Sequence, residues 1–247
     1  MSEALERIAA QLHRARRLVV MTGAGASAES GIPTFRDALT GLWARFRAEE
    51  LATPEAFEAH PERVSQWYES RRQAALACQP NGGHQALAQL QDWAEARGCD
   101  FTLVTQNVDG LHQRAGSRNV LELHGSLLRW RGWESGVPTV LPETGVERFP
   151  VRSETGELLR PGVVWFGEPL PEATLAAALQ ATAAADAFMS IGTSSVVYPA
   201  AGLIEIAIES GAYTVEVNPE QTPFTGRVDQ VVAQASAPCL QALVSRL

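Results

Sequence analysis

The run Leu18-Val19-Val20-Met21-Thr22-Gly23-Ala24-Gly25-Ala26-Ser27-Ala28 restricts this chain more than any other stretch. Its apolar opening has the length and β-branched content of a buried strand. A glycine turn and small residues follow, so a strand feeds a tight turn and the turn feeds a helix N-terminus. Such a turn sets backbone N–H groups and the positive end of a helix dipole against an anion, typically a pyrophosphate. In this reading Gly23 makes the turn and Gly25 admits close backbone approach. Ala28 stands where a third small residue permits tight helix packing. A glycine turn of an α/β domain with no ligand is the alternative.

The continuation departs from a dehydrogenase. There, a second strand ends in Asp or Glu roughly 20 residues after the glycines and holds a ribose hydroxyl. Here that distance falls in DALTGLWARF, which has no strand pattern. The turn runs instead into Gly31-Ile32-Pro33-Thr34-Phe35-Arg36, which cannot extend a helix. The pattern implies a ligand gripped along its length and covered by a loop.

Further strands are predicted at Phe101–Thr105, Val120–Leu123, Ala187–Ile191, Tyr213–Val217 and Gln230–Val232, alternating with helices. Residues 45–79 read as helical, broken near Ala52-Thr53-Pro54, with Thr53 as N-cap and Pro54 in the first turn. Asn81–His84 reads as a turn before a helix from about His84 to Arg97. Between Leu127 and Pro161 the periodicity is lost, and regular α/β structure is expected to return at Val163–Phe166. Three strand ends carry polar groups: Gln106-Asn107-Val108-Asp109, Gly192-Thr193-Ser194-Ser195 and Asn218-Pro219-Glu220. In a parallel sheet these share the glycine turn's edge, which favours a long polar ligand.

Bulk properties narrow the classes. The net charge of −8 argues against a general nucleic-acid surface. Cys78, Cys99 and Cys239 are odd in number and far apart, giving no disulfide framework and pointing to a reducing compartment. No apolar run reaches the roughly 18 residues of a bilayer span, and the first residues have no apolar signal core. A cytoplasmic protein with no nucleic-acid or membrane partner is expected.

The motifs GAGASAESGIPTFR, TQNVDGLH, LHGS, VVWFGE, GTSS and VNPE, in this order, resemble the sirtuins, NAD-dependent protein deacylases. The resemblance implies an α/β fold: a Rossmann-like parallel sheet flanked by helices, with a smaller inserted domain. Residues 1–37, 80–125 and 165–247 would form the NAD-binding domain, and 38–79 with 126–164 the inserted one. It further implies that the acyl oxygen of a modified lysine attacks the NAD ribose and expels nicotinamide. His124 would be the general base, with Asn107 beside it in the catalytic set. NAD would be held by Gly23, Ala24, Gly25, Ala28, Glu29, Thr34, Phe35, Arg36, Gln106, Asn107, Val108, Asp109, Gly192, Thr193, Ser194, Asn218, Pro219, Glu220 and Cys239. Asn107 and Asp109 would border the nicotinamide, with the Asp109 carboxylate accepting from its amide. Phe35 would shield the ribose or simply pack its loop. Cys239 reads more readily as a small buried residue.

Val164, Trp165 and Phe166 would wall the substrate tunnel and pair with the substrate backbone as an added strand, unless the two aromatics are core. Tyr68 and Arg71 lie one helical turn apart, so a hydroxyl and a guanidinium share a face and together match a carboxylate. From spacing alone they also read as a solvated helix face. With the small Ala52 they resemble the acyl pocket of sirtuins that remove succinyl, malonyl and glutaryl groups. The expected activity is therefore removal of acidic acyl groups, and acetyl too, from lysine proteins or peptides. An NAD glycohydrolase or ADP-ribosyltransferase on the same fold is the alternative.

One departure is plain. Sirtuins usually close the small domain with zinc on two CxxC pairs, whose positions here fall on Gly132, Ser135, Arg152 and Thr155. None supplies a thiolate, so no zinc is expected. Burial of Trp130, Trp133, Val140, Leu141, Phe149 and Val151 is expected to stabilise this domain instead.

Overall fold

The computed structural model describes residues 2–32 and 50–247. Thr34, Phe35 and Arg36, and the first part of the expected helical insertion, lie outside them. In chain order the elements are α1 (Ser2–Leu12), β1 (Arg17–Thr22), α2 (Gly25–Ala28), α3 (Pro54–Ala59), α4 (Pro61–Ala77), α5 (Gly82–Ala96), β2 (Asp100–Thr105), α6 (Leu111–Arg114), β3 (Leu121–Glu122), β4 (Gly125–Gly132), β5 (Pro138–Thr139), β6 (Leu159–Val163), α7 (Glu172–Ala183), β7 (Ala187–Ile191), α8 (Gly202–Glu209), β8 (Tyr213–Val217), β9 (Gln230–Val232) and α9 (Ser236–Val244).

Six strands form a parallel sheet in the order β3-β2-β1-β7-β8-β9. Its central strands are apolar almost throughout because both faces are covered. On β1, Leu18 and Val20 face α1, α5 and α9 through Leu5, Ile8, Leu90 and Leu240. Val19 and Met21 face the opposite layer, where Ala178 of α7 and Leu203, Ile204 and Ala207 of α8 pack. Helix α5 starts earlier than its sequence pattern indicates. Asn81 caps it, accepting from the Gly83 and His84 N–H groups at 2.8 and 3.2 Å, while His84 Nδ1 accepts from Asn81 N–H at 3.2 Å. The expected Thr53 cap also forms, its hydroxyl accepting from Ala56 N–H at 3.1 Å.

The stretch read as irregular holds a second, antiparallel sheet in the order β5-β4-β6. It packs on α3 and α4 through Phe57, Val64, Trp67, Tyr68, Trp130 and Trp165. Here the reading of Val163–Phe166 is corrected: β6 ends at Val163 and pairs with β4, outside the parallel sheet. A buried ion pair stiffens α4, with Arg72 Nε 2.7 Å from Glu69 Oε2 and Arg72 Nη2 donating to Pro142 O at 2.7 Å. Trp130, Leu141 and Val151 are buried, and Trp133 and Phe149 pack partly against the same core. Val140 is the exception at 87% exposed. It follows the short strand β5 and precedes the buried Leu141.

A carboxylate closes the turn between β4 and β5. Glu157 Oε1 accepts from the N–H groups of Glu134 and Ser135 at 3.0 and 2.8 Å, and Oε2 accepts from Ser135 Oγ at 2.9 Å. These bonds hold the Glu157 carboxyl below the ordinary carboxylate range. Gly132 leaves the necessary room, since a Cβ there would lie 2.4 Å from Glu157 Oε1. Across the ribbon Arg152 Nη1 donates to Gly156 O at 2.7 Å, and the Ser153 and Thr155 hydroxyls are 2.9 Å apart. Among the described residues no three His, Cys, Asp or Glu side chains are grouped to hold a metal ion, and no helix is long and apolar enough to cross a membrane.

Candidate active site

The strand order reverses between β1 and β7, and at that switch point the two strand exits touch. A Cβ on Gly23 would lie 2.7 Å from Thr193 Cβ, and one on Gly25 2.8 Å from Gly192 Cα. Gly25 N–H donates to Gly192 O at 2.8 Å. The glycines therefore let two backbones cross, and Gly25 spends its donor on that crossing. Around them, the backbone N–H groups of Ala24, Thr193 and Ser194 donate to no acceptor among the described residues. Ser195 has φ +55°, and its buried Oγ has no partner there. Orphan donors along a strand-exit edge fit the phosphate oxygens of a dinucleotide. Ser195 belongs to the polar strand end read from the sequence, where it had no role of its own.

Asn107 and Asp109, both buried, meet the glycine turn through Ser27. Asn107 Nδ2 donates to Gly23 O and to Ser27 Oγ, each at 3.0 Å. Ser27 Oγ donates to Asp109 Oδ2 at 2.8 Å, and His84 Nε2 lies 3.3 Å from the same hydroxyl. Because His84 Nδ1 accepts a backbone N–H, its neutral ring carries the proton on Nε2 and donates to Ser27. The serine hydroxyl then makes one donation and two acceptances, its full capacity. Asp109 Oδ1 accepts from Leu111 N–H at 2.9 Å. Each carboxylate oxygen thus has one protein donor and keeps a lone pair for an incoming amide. Ser27 and His84 were not legible as site residues, since a serine in a small-residue run and a histidine after Gly-Gly look local.

His124 is partly buried two residues beyond β3. Its Nδ1 lies 3.0 Å from Gln106 O, which can only accept, so Nδ1 carries the proton and Nε2 the lone pair. Burial lowers its pKa, partly opposed by that bond. Gln106 is held in turn by Nε2–H donation to Thr193 Oγ1 at 3.0 Å, and Asn218 Nδ2 donates to Thr193 O at 2.8 Å. Three strand exits are thereby tied together.

Other expected residues sit differently. Ala28 is exposed, because the four-residue α2 turns Ala26 and Ser27 inward instead. The Glu29 carboxylate accepts from Ala237 N–H at 2.8 Å and caps α9. Val108 O accepts from Leu127 N–H at 2.8 Å, joining the two sheets. Pro219 and Glu220 are exposed, while Cys239 is buried in the core of α1, α5 and α9, where burial pushes its thiol up to about 11.

Ala52, Tyr68 and Trp165 share one buried cluster beside this rim. Trp165 Nε1–H donates to the Tyr68 hydroxyl at 2.9 Å. Burial drives Tyr68 up to about 12, so the phenol stays protonated. Its own proton meets no acceptor among the described residues. The Arg71 guanidinium lies 4.9 Å from the Trp67 ring centre and 5.5 Å from that of Tyr68, with its pKa lowered by burial. The helix pair is thus not a solvated face. The expected added strand at 164–166 meets an obstacle, since all three N–H groups are taken: Val164 by His124 O and Phe166 by Ala52 O at 2.9 Å, Trp165 by Glu168 Oε2 at 2.8 Å. Phe166 is 47% exposed, and Trp165 is core.

Behind the rim His112 Nε2 is 2.8 Å from Thr22 Oγ1, while Nδ1 is buried without a partner among the described residues. Burial, and then neighbouring His84, push its pKa down to about 3. An unfolded histidine titrates near 6.5, so between these values the unfolded chain binds a proton that the fold refuses. Stability should fall as pH drops through that window. His112→Asn is expected to flatten the acid slope of unfolding free energy by up to about 1.4 kcal/mol per pH unit. Parallel slopes in denaturant titrations from pH 7 to 4 would refute this.

The model of the Sir2 family matches residues 23–199. An NAD-dependent protein deacylase of Deinococcus radiodurans is 50% identical over 225 residues, covering 90% of each chain. A second, of Mycobacterium tuberculosis, is 45% identical over 236 residues, 94% of this chain and 98% of its own. Among solved structures, a Sir2 homolog–NAD complex is 43% identical with a TM-score of 0.88, covering 97% of this chain and 92% of that one.

Proposed function

The chain belongs to the Sir2 family and is an NAD-dependent protein deacylase, and from that premise we propose that it removes succinyl- and malonyl-type acyl groups from lysine, with acetyl as a second substrate. The observation that carries the acyl preference is Tyr68. Its buried O–H finds no acceptor among the described residues, and such a donor costs about 1–3 kcal/mol that a ligand oxygen relieves. Arg71 beside it supplies the charge that an acidic acyl end needs.

NAD supplies the glycosidic bond that breaks, with nicotinamide as leaving group. The chain's residues do the rest. Ala24, Thr193, Ser194 and Ser195 offer donors for phosphate oxygens, and Asn107 and Asp109, fixed by Ser27, offer partners for the carboxamide. His124 Nε2, its lone pair aimed by the Nδ1 bond, takes the proton of a ribose hydroxyl. The lowered pKa keeps that ring neutral at neutral pH.

The test is nicotinamide release from NAD with no peptide, an acetyl-lysine peptide and a succinyl-lysine peptide. Release should be slowest without peptide and highest kcat/KM should belong to the succinyl peptide. Equal release in all three arms would favour an NAD glycohydrolase and remove the deacylase reading.

A further inference from the structure

The Tyr68 hydroxyl has a second feature besides a proton that meets no acceptor among the described residues. The atom that donates to it belongs to an indole packed against a guanidinium and a second aromatic ring. The Arg160 guanidinium lies 3.5 Å from the Trp165 ring centre. Arg160 is 4% exposed and meets Glu168 through Nη1 at 2.5 Å and Nη2 at 2.9 Å. Glu168 Oε2 also takes the Trp165 backbone N–H at 2.8 Å. The Phe57 ring also packs on it at 5.4 Å, centre to centre, tilted by 42°. Ring and backbone of Trp165 are therefore both fixed, and its Nε1–H points where Arg160 and Glu168 put it.

A phenolic O–H prefers the plane of its ring, which leaves the proton two positions. An N–H arriving at the oxygen takes the acceptor side and repels the proton from it. We propose that Trp165 is a positioning residue for acyl specificity: its indole N–H turns the Tyr68 proton toward the acyl end, making the phenol an obligatory donor to a substrate carboxylate. An acetyl group has no oxygen at that depth, so the effect is confined to acidic acyl chains. This inference rests on the acidic-acyl reading above.

The experiment compares kcat/KM on succinyl- and acetyl-lysine peptides for wild type, Trp165→Phe, Tyr68→Phe and the double variant. Trp165→Phe should lower the succinyl-to-acetyl ratio about tenfold, with the loss in KM. In the Tyr68→Phe background it should leave the ratio unchanged. An unchanged ratio in the single variant, or an equal drop in both backgrounds, overturns the role of Trp165. A wild type that does not act on the succinyl peptide overturns the acidic-acyl reading, and this proposal with it. Should Trp165→Phe fail to fold, benzothienylalanine at position 165 replaces the N–H by sulfur at nearly constant shape, and the same ratio is read.

Discussion

Replacing His124 by alanine is expected to lower kcat/KM for release of free lysine by about two to four orders of magnitude, while NAD affinity changes less than about threefold. The geometry gives the reason. Nδ1 is spent on Gln106 O, so the ring's contribution is one lone pair, at Nε2, on the edge where the β1, β2 and β7 exits converge. No other imidazole is available there: His84 spends both nitrogens within the Ser27 network, and His112 is buried behind it. Burial lowers the His124 pKa, so the acid limb of wild-type kcat/KM should have its midpoint below 6.5. Dinucleotide affinity by calorimetry and product formation by chromatography are the two readings. Near-wild-type lysine release from His124→Ala would end the assignment of this base.

Arg71→Met should abolish the succinyl preference. Removing one partner of a buried charge pair costs about 3–5 kcal/mol, which is roughly 10²- to 10³-fold or more in kcat/KM on the acidic substrate. The new side chain is similar in length and apolar, so acetyl activity should hold within a few-fold or rise. Paired progress curves on the two peptides settle it. An equal fall on both would show that Arg71 supports α4 rather than the acyl end. Tyr68 does not compensate, because a neutral phenol supplies a hydrogen bond and no charge.

Local patterns were readable in the sequence where chemistry and structure are local. The β1 run, the glycine turn, the Thr53-Pro54 helix start and the polar strand exits each lie within a few residues. The antiparallel sheet was not readable. Gly162, Pro138 and Pro161 interrupt its strands, and its register shifts between Ser126 and Trp130. Ser27 was missed because its partners Asn107 and Asp109 are 80 and 82 residues away. Glu29 was legible within its contiguous motif, whereas its bond to Ala237, 208 residues distant, was not. The Tyr68–Arg71 pair was visible as spacing, but Trp165, whose indole donates to Tyr68, is 97 residues further along.

The Glu157 turn has a consequence for how the molecule matures. A ribbon fastened by an acid side chain gains this clasp from groups of its own chain as the polypeptide condenses. The clasp uses backbone N–H groups, a hydroxyl and a carboxylate, and Cys78, Cys99 and Cys239 take no part in it. What loosens it is acidity: as protons neutralise Glu157, the clasp on Glu134 and Ser135 weakens.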